Sequence, residues 1–372
     1  MHLHLLIPDL LLPVDTPSGQ GWGPQASSSS PPTLDALETL LAKGRRTPSP
    51  ALQLERWLLD RFGVLVEEHG QDDRRDKQDN DRAPIGIRAA CAAYSLAGDG
   101  GEPGAANWAR ADPVHLRVDR DELVLADASV FGVDEDEARA LAATLNEHFG
   151  AALQIDARQP GRWYARLGST PSIRTTPLGE ARGEPISGHL PSGEDGMHWH
   201  ALMNEVQMAL HDHPVNEARE ARGEMTVNSL WFWGHGVYAP LDKRPFNAVL
   251  ANDPLARGLA GASGASALPL ADNLQAWLAN APDEGQTLAV LDTLRAPARY
   301  GDAPGWAEAG ATLHRDWIAP ALAALHSGRI GMLSVHLPTA LGGLSVETIR
   351  GDLRRFWRRR KPLATYVRKR ED

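Results

Sequence analysis

Cysteine is nearly missing: Cys91 is the single one in 372 residues. That excludes an internal disulfide framework and fits the reducing cytoplasm. Positive charge is scarce too, with 38 Lys and Arg against 48 Asp and Glu, a net charge of −10 and an isoelectric point near 5.8. The balance argues against nucleic acid as the main partner. Long apolar runs are missing as well. The opening MHLHLLIPDLLLP is interrupted by Pro8, Asp9 and Pro13 and lacks a basic leader and a small-residue cleavage site. It fits neither a signal peptide nor a membrane span and is expected to form the first buried strand. No GxSxG elbow, HExxH, paired CxxC or EF-hand loop occurs. GDGGEPG (98–104) is not a phosphate loop, because the lysine and hydroxyl that follow such a loop are absent. No catalytic residue is assignable from motifs.

What is present is 42% hydrophobic content, enough for one large core or two smaller ones. The most informative stretch is Met203 to Pro240. Leu202, Met203, Val206, Ala209 and Leu210 recur at helical spacing, so Trp199 to about His211 is expected to be an amphipathic helix. Pro214 stops it and opens a shorter helix that closes at Gly223. Val227 to Trp233 is expected to be a strand covered on both faces, as in a parallel sheet. Gly234, His235 and Gly236 would then turn beyond its carboxyl end, where open α/β sheets bind ligands. His211, His213, Asn216, Arg219, Arg222, Asn228, Ser229 and His235 are the groups here able to meet an anion. Local capping and pairing explain several of them equally well.

Along the chain, residues 33–44 and 52–62 are expected helices, and 19–32 and 67–82 expected polar loops. Residues 85–97 fit either helix or strand. His115–Val118 and Glu122–Asp127 look like paired strands, followed by an amphipathic helix over 134–149 with an acidic first turn and a strand at Arg162–Leu167. Asn247–Leu250 and Thr287–Leu291 are further strands, Trp306–His326 a long helix and Leu353–Arg360 a last one. His2/His4, His198/His200 and His211/His213 form His-x-His pairs. On a helix, residues two apart point about 200° from each other, which disfavours zinc chelation by the last two pairs. Of the 21 residues from Arg350 to Arg370, 10 are Lys or Arg. This tail offers either a surface for phosphate or an acidic partner, or a solvated terminal helix anchored by Phe356 and Trp357. Arg117, Arg166, Arg174 and Arg219 form an anion ring only if the fold makes them converge.

DPVHLRVD (Asp112–Asp119), VDEDEARALAATLNEHF (Val133–Phe149), PISGHLPSG (Pro185–Gly193), HPVNEAREARGEMTVNSLWFWGHG (His213–Gly236) and DPLARGLA (Asp253–Ala260) occur in that order. Together they resemble the archaeal-type cofactor-independent phosphoglycerate mutases of the alkaline phosphatase superfamily. LLIPDLL with TLDALETLLAKG looks like a worn opening strand and helix. The whole chain, with GDGGEPG and FWRRRKPL, is more similar still to bacterial proteins called the RpfE type, named for regulation of pathogenicity factors. The resemblance implies an α/β, alkaline-phosphatase-like, mostly parallel sheet flanked by helices. Residues 1–111 and 226–372 would form the core, and 112–225 an inserted α+β subdomain.

It also implies two divalent metals, usually manganese or zinc, around a hydroxyl nucleophile. Here the chain departs from the family. Pro8-Asp9-Leu10 stands where the first strand should end in Asp-Gly, and Thr176-Pro177-Leu178-Gly179 replaces a Pro-His-Asp element. SVHLPTALGG (Ser334–Gly343) offers only His336 for the late ligand cluster. The expectation is therefore a pseudoenzyme without a metal cofactor, in regulation or anion binding. Arg117, His213, Asn216, Arg219 and Asn228, with His235 beside them, would hold a phosphorylated or carboxylated metabolite. A protein partner would use the basic C-terminal tail, and no membrane is involved. The alternative is an active mutase or phosphatase with an altered manganese or zinc centre, with Asp9 and His336 among its ligands and Thr33 or another hydroxyl as nucleophile.

Overall fold

The computed structural model describes residues 1–11, 34–64, 89–119 and 121–367. The loops expected at 19–32 and 67–82, Thr33, residues 85–88 and the end of the basic tail lie outside them. The described strands are, in chain order, β1 (His2–Leu6), β2 (Arg45–Ser49), β3 (Asn107–Asp119), β4 (Glu122–Asp127), β5 (Leu153–Gln159), β6 (Arg162–Leu167), β7 (Ser229–Val237), β8 (Ala248–Leu250), β9 (Ser266–Leu268), β10 (Gln286–Val290), β11 (Met332–Leu337) and β12 (Gly343–Ile349). The chain groups into two compact units, 1–62 with 241–372, and 63–240. The joints thus fall at 62/63 and 240/241, where the sequence suggested 111/112 and 225/226.

The first unit holds a seven-stranded sheet in the order β2-β12-β11-β1-β10-β8-β9. β1 pairs in parallel with both β10 and β11, and β8 in parallel with β10 and β9; β12 and β2 run antiparallel at one edge. The mostly parallel sheet expected from the sequence is present. HLHLL in β1 alternates, and the pleat sends its two types to opposite faces. Leu3 and Leu5 are fully buried, in one core with Leu37, Leu40 and Leu41 of the Asp35–Lys43 helix and with Trp317 and Leu325. His2 and His4 take the other face, where Phe246 meets the His4 ring and Trp57 of the Leu54–Phe62 helix meets His336 of β11.

The long helix expected at 306–326 is present as an unbroken helical run from Ala303 to Ser327, its one irregularity a wide π turn at His314–Ile318. Pro320 explains it: proline has no N–H for the carbonyl four residues back, and its ring crowds that turn. One expectation fails in this unit: the terminal helix at 353–360 does not form. A 3-10 turn, Arg350–Arg354, is followed by a tight turn at 356–357 and a second 3-10 turn, Leu363–Thr365. Arg355 and Arg358 instead donate to the carbonyls of Lys43 and Gly44 at the negative end of the Asp35–Lys43 helix. Phe356 and Trp357 anchor nothing, being 85% and 66% exposed.

The second unit is an antiparallel sheet in the order β4-β3-β6-β5, with β7 paired to β3. The β-β-α-β order expected here is present, with β5 added. The Glu135–Phe149 helix carries a reciprocal capping box between Asp134 and Glu137. The main correction concerns β7: it is buried as expected, but it runs antiparallel to β3, not in the parallel sheet. A strand buried on both faces has the same composition in either arrangement, so its sequence does not choose the partner. Gly234, His235 and Gly236 consequently lie inside the strand and not beyond its end. The two glycines serve close packing. Gly234 has φ +65°, and a Cβ there would come within 2.7 Å of the Cys91 Cβ; one at Gly236 would meet the Ala90 Cβ at 2.7 Å.

Candidate functional site

The residues singled out for anion holding lie in the second unit, and most of their polar groups have internal partners. His213 caps the Pro214–Ala221 helix: its Nδ1 accepts from the Val215 N–H at 3.1 Å, and its Nε2 lies 3.0 Å from the Thr144 hydroxyl. Burial lowers its pKa. Asn216 donates to the carbonyls of Leu210 and Val227 and accepts from the Val227 N–H at 2.9 Å. Arg219 is 2% exposed and donates to the carbonyls of Met225, Phe131 and Gly132 and to Glu137. Arg222 takes the other oxygen of Glu137 at 2.8 Å. Asn228 exchanges two hydrogen bonds with the Leu116 backbone, at 2.7 and 2.8 Å.

Arg117 is half-buried on β3 near His115, whose pKa is lowered first by burial and then by the cations Arg117 and Arg219. His235 is buried within β7. The structure therefore brings His213, Asn216 and Arg219 together as a lock that ties the Pro214–Ala221 helix to the Glu135–Phe149 helix and to Met225 and Val227 just before β7. Ligand binding by His213, Asn216, Arg219 or Asn228 would have to break bonds already made. Arg166 is exposed on β6, opposite Trp108 on β3.

A different constellation stands at the carboxyl edge of the parallel sheet in the first unit, where α/β sheets place ligands. Each of three strands is followed within two or three residues by an aspartate: Leu6 of β1 by Asp9, Leu250 of β8 by Asp253, Val290 of β10 by Asp292. Asp9 is 2% exposed, has φ +61° and is tied through its N–H to the Pro338 carbonyl at 3.0 Å. Left-handed backbone is tolerated by aspartate better than by most residues. Asp253 caps the Pro254–Ala262 helix through the Ala256 N–H at 2.8 Å. Burial, and then the charge of Asp292, push its carboxyl up to about 6.

Two guanidinium groups face these carboxylates. Arg295, buried, forms two hydrogen bonds to Glu55 at 2.8 and 3.0 Å. Burial alone would lower its pKa, but Glu55, Asp9 and Asp292 outweigh that and raise it. Arg299 has its Nε 3.8 Å from an Asp9 oxygen, an ion pair too long for a hydrogen bond. Its Nε and Nη2 are buried with no hydrogen-bond partner among the described residues. Sequence reading named Asp9 and missed Glu55, Asp253, Asp292, Arg295 and Arg299. The available signal was the recurrence of an aspartate just past three of the short apolar strands, β1, β8 and β10.

His336 does not join this edge. It sits in a chain of neutral groups across β12, β11, β1 and β10. Ser345 lies 2.9 Å from His336 Nδ1, His336 Nε2 3.1 Å from His4 Nδ1, and His4 Nε2 3.2 Å from the Gln286 oxygen. One assignment satisfies every contact: the serine hydroxyl donates to His336, His336 to His4, and His4 to Gln286. Burial holds both rings neutral, with His4 lowered to about 3 and His336 well below its usual value.

A two-metal centre needs five or six oxygen and nitrogen ligands around two cations. Among the described residues no group of three or more His, Cys, Asp or Glu converges on one ion position. Both ring nitrogens of His336 are engaged, and the cationic charge beside Asp9 comes from arginine side chains. The described residues do not fit such a centre; Thr33 lies outside them.

No family model matches the chain. A probable 2,3-bisphosphoglycerate-independent phosphoglycerate mutase of Geobacter sulfurreducens is 33% identical over 144 residues, 37% of this chain and 35% of the relative. The 2,3-bisphosphoglycerate-independent phosphoglycerate mutase of Methanosarcina mazei is 34% identical over 122 residues, 32% of this chain and 30% of the relative. The matches span about a third of the length of these relatives. A solved structure of a Pyrococcus horikoshii protein covers 93% of this chain and 87% of its own, with a TM-score of 0.50 at 12% identity. Over about a third of its length the chain is thus similar in sequence to 2,3-bisphosphoglycerate-independent phosphoglycerate mutases, and its fold is α/β with a mostly parallel sheet in the first unit.

Proposed function

We propose that this phosphoglycerate-mutase-like chain does not perform two-metal phosphoryl transfer and instead binds an anionic ligand, a phosphorylated or carboxylated metabolite, in a regulatory role. The RpfE-type relationship and a cytoplasmic location belong to the same proposal. The observation that carries it is Arg299 at the carboxyl edge of the sheet, two of whose buried nitrogens have no hydrogen-bond partner among the described residues. A buried donor without a partner costs about 1–3 kcal/mol. A phosphate or carboxylate would relieve that cost, because the planar guanidinium fork matches both. Arg295 is already committed to Glu55.

The neighbouring aspartates oppose an anion, and protonation of Asp253 near pH 6 weakens that opposition. The test is thermal unfolding of the chelator-treated chain with 3-phosphoglycerate or with manganese. The anion is expected to raise the melting temperature of the native chain but not of Arg299→Gln, and manganese to leave both unchanged. Stabilisation by manganese and none by the anion would overturn the reading.

One observation favours a second reading, a metal-dependent phosphotransferase with an altered centre. Three carboxylates follow neighbouring strands, and Asp253 is held high by burial and then by the charge of Asp292; a divalent cation beside them would lower it again. Manganese- or zinc-dependent turnover in a coupled mutase or phosphatase assay would support this reading.

A further inference from the structure

A groove of about 610 Å³ runs between the Asp35–Lys43 helix, the Ala319–Ser327 helix and the Arg350–Arg354 turn. All three elements belong to the first unit. Its floor includes Leu322 and Leu353, both half-buried, and the exposed Ala323. Its rim carries Lys43, Arg350 and Arg354. The one lining carboxylate, Asp35, is 2.9 Å from His314 and 3.6 Å from Arg360. Arg350 and Arg354 have no carboxylate partner among the described residues, and both are exposed. Just past Arg354, Phe356 and Trp357 stack edge to face at 5.2 Å while largely exposed. This cationic rim stands on a chain whose net charge is −10, so it is a local feature and not the general surface.

We propose that this groove receives an acidic amphipathic helix of a protein partner. The argument is complementarity on two counts. An apolar floor between two helices is the seat that a helix with anchors at i, i+3, i+4 and i+7 fills. A rim of fixed cations then selects carboxylates on that helix's flanks and speeds its encounter. Phosphodiester chains would gain nothing from the leucine floor, and a flat bilayer cannot enter a concave seat. Phe356 and Trp357 extend the apolar contact beyond the groove, since exposed aromatic pairs of this size commonly mark interaction surfaces. This inference is independent of Arg299 and of any ligand at the sheet edge.

The test uses the full chain and a fluorescein-labelled 15-residue helical peptide with leucines along one face and glutamates on both flanks. Fluorescence anisotropy is expected to show saturable binding that weakens with salt. Ala323→Glu on the exposed floor should weaken it by about tenfold or more. The pair Arg350→Glu and Arg354→Glu should lose the glutamate peptide and gain a peptide with lysines in place of the glutamates, a gain that a misfolded variant would not show. No binding of the glutamate peptide would overturn the proposal. So would binding of phosphatidylserine vesicles or single-stranded DNA through the same arginines without peptide binding. A concentration-dependent dimer that Ala323→Glu dissolves would also overturn it, because a second copy would then be the occupant.

Discussion

Lowering the pH should destabilise this protein through His4, and the size of the effect follows from the structure. The ring packs against His2 at 3.8 Å and edge to face with Phe246 at 5.2 Å, and its two nitrogens are held by His336 and Gln286. Burial, and then the neighbouring His2, lower its pKa from 6.5 to about 3. The folded chain therefore refuses a proton that the unfolded chain accepts. The stability due to the neutral ring is complete above pH 6.5 and is lost as pH falls from there toward 3. By linkage the loss is about 0.8 kcal/mol at pH 6 and about 2 kcal/mol at pH 5.

Asp253 acts in the opposite sense, since its raised pKa makes folding easier as pH falls through 6. The net pH profile therefore mixes signs, and the test must isolate His4. His4→Gln does so: a neutral amide can accept from His336 and donate to Gln286. Urea unfolding of both proteins at pH 8 and pH 5 is the assay. The native chain should lose about 2 kcal/mol more than His4→Gln over that interval, roughly 1 M in urea midpoint for a slope near 2 kcal/mol per M. Parallel profiles for the two proteins would refute the reasoning.

Arg219→Ala leaves three backbone carbonyls without their arginine donor, while Glu137 keeps Arg222. It should cost about 3–5 kcal/mol by denaturant unfolding, because each sequestered polar group left without its partner costs about 1–3 kcal/mol. Arg219→Lys should recover only part of that, as lysine lacks the fork. Gly234→Ala places a Cβ 2.7 Å from that of Cys91 at a positive φ. It should cost about 1–3 kcal/mol, read from the shift in melting temperature, while Gly223→Ala, open to solvent, should cost less. If Arg299 binds an anion, 3-phosphoglycerate affinity by calorimetry should rise between pH 8 and pH 6 as Asp253 takes up a proton. Asp253→Asn should flatten that dependence.

Local signals made the helices legible. The Glu135–Phe149 helix announces itself by Asp134 and Glu137, which form the capping box, and by its leucine stripe. The Pro214–Ala221 helix follows from Pro214 and from the capping His213. Sheet membership was not legible for β7, because its partner β3 lies more than a hundred residues earlier and either sheet type accepts SLWFW. β2, RRTPS, went unseen because it is an exposed edge strand with no apolar alternation. The same separation in sequence hid the edge constellation. Arg295 meets Glu55 across 240 positions, and neither residue carries a local pattern that marks it. His213, Asn216, Arg219 and Asn228 drew attention as a dense polar run. A run that dense also suits a helix junction, where each polar group finds a partner nearby.

The claim on which the functional account rests is that arginine, not a metal pair, supplies the positive charge beside Asp9. The most direct measurement is calorimetric titration of the chelator-treated chain with manganese and, separately, with 3-phosphoglycerate at pH 6.5. The expected result is heat of binding for the anion, abolished in Arg299→Gln, and none for manganese. Stoichiometric manganese binding that disappears in Asp9→Asn or Asp292→Asn would contradict it.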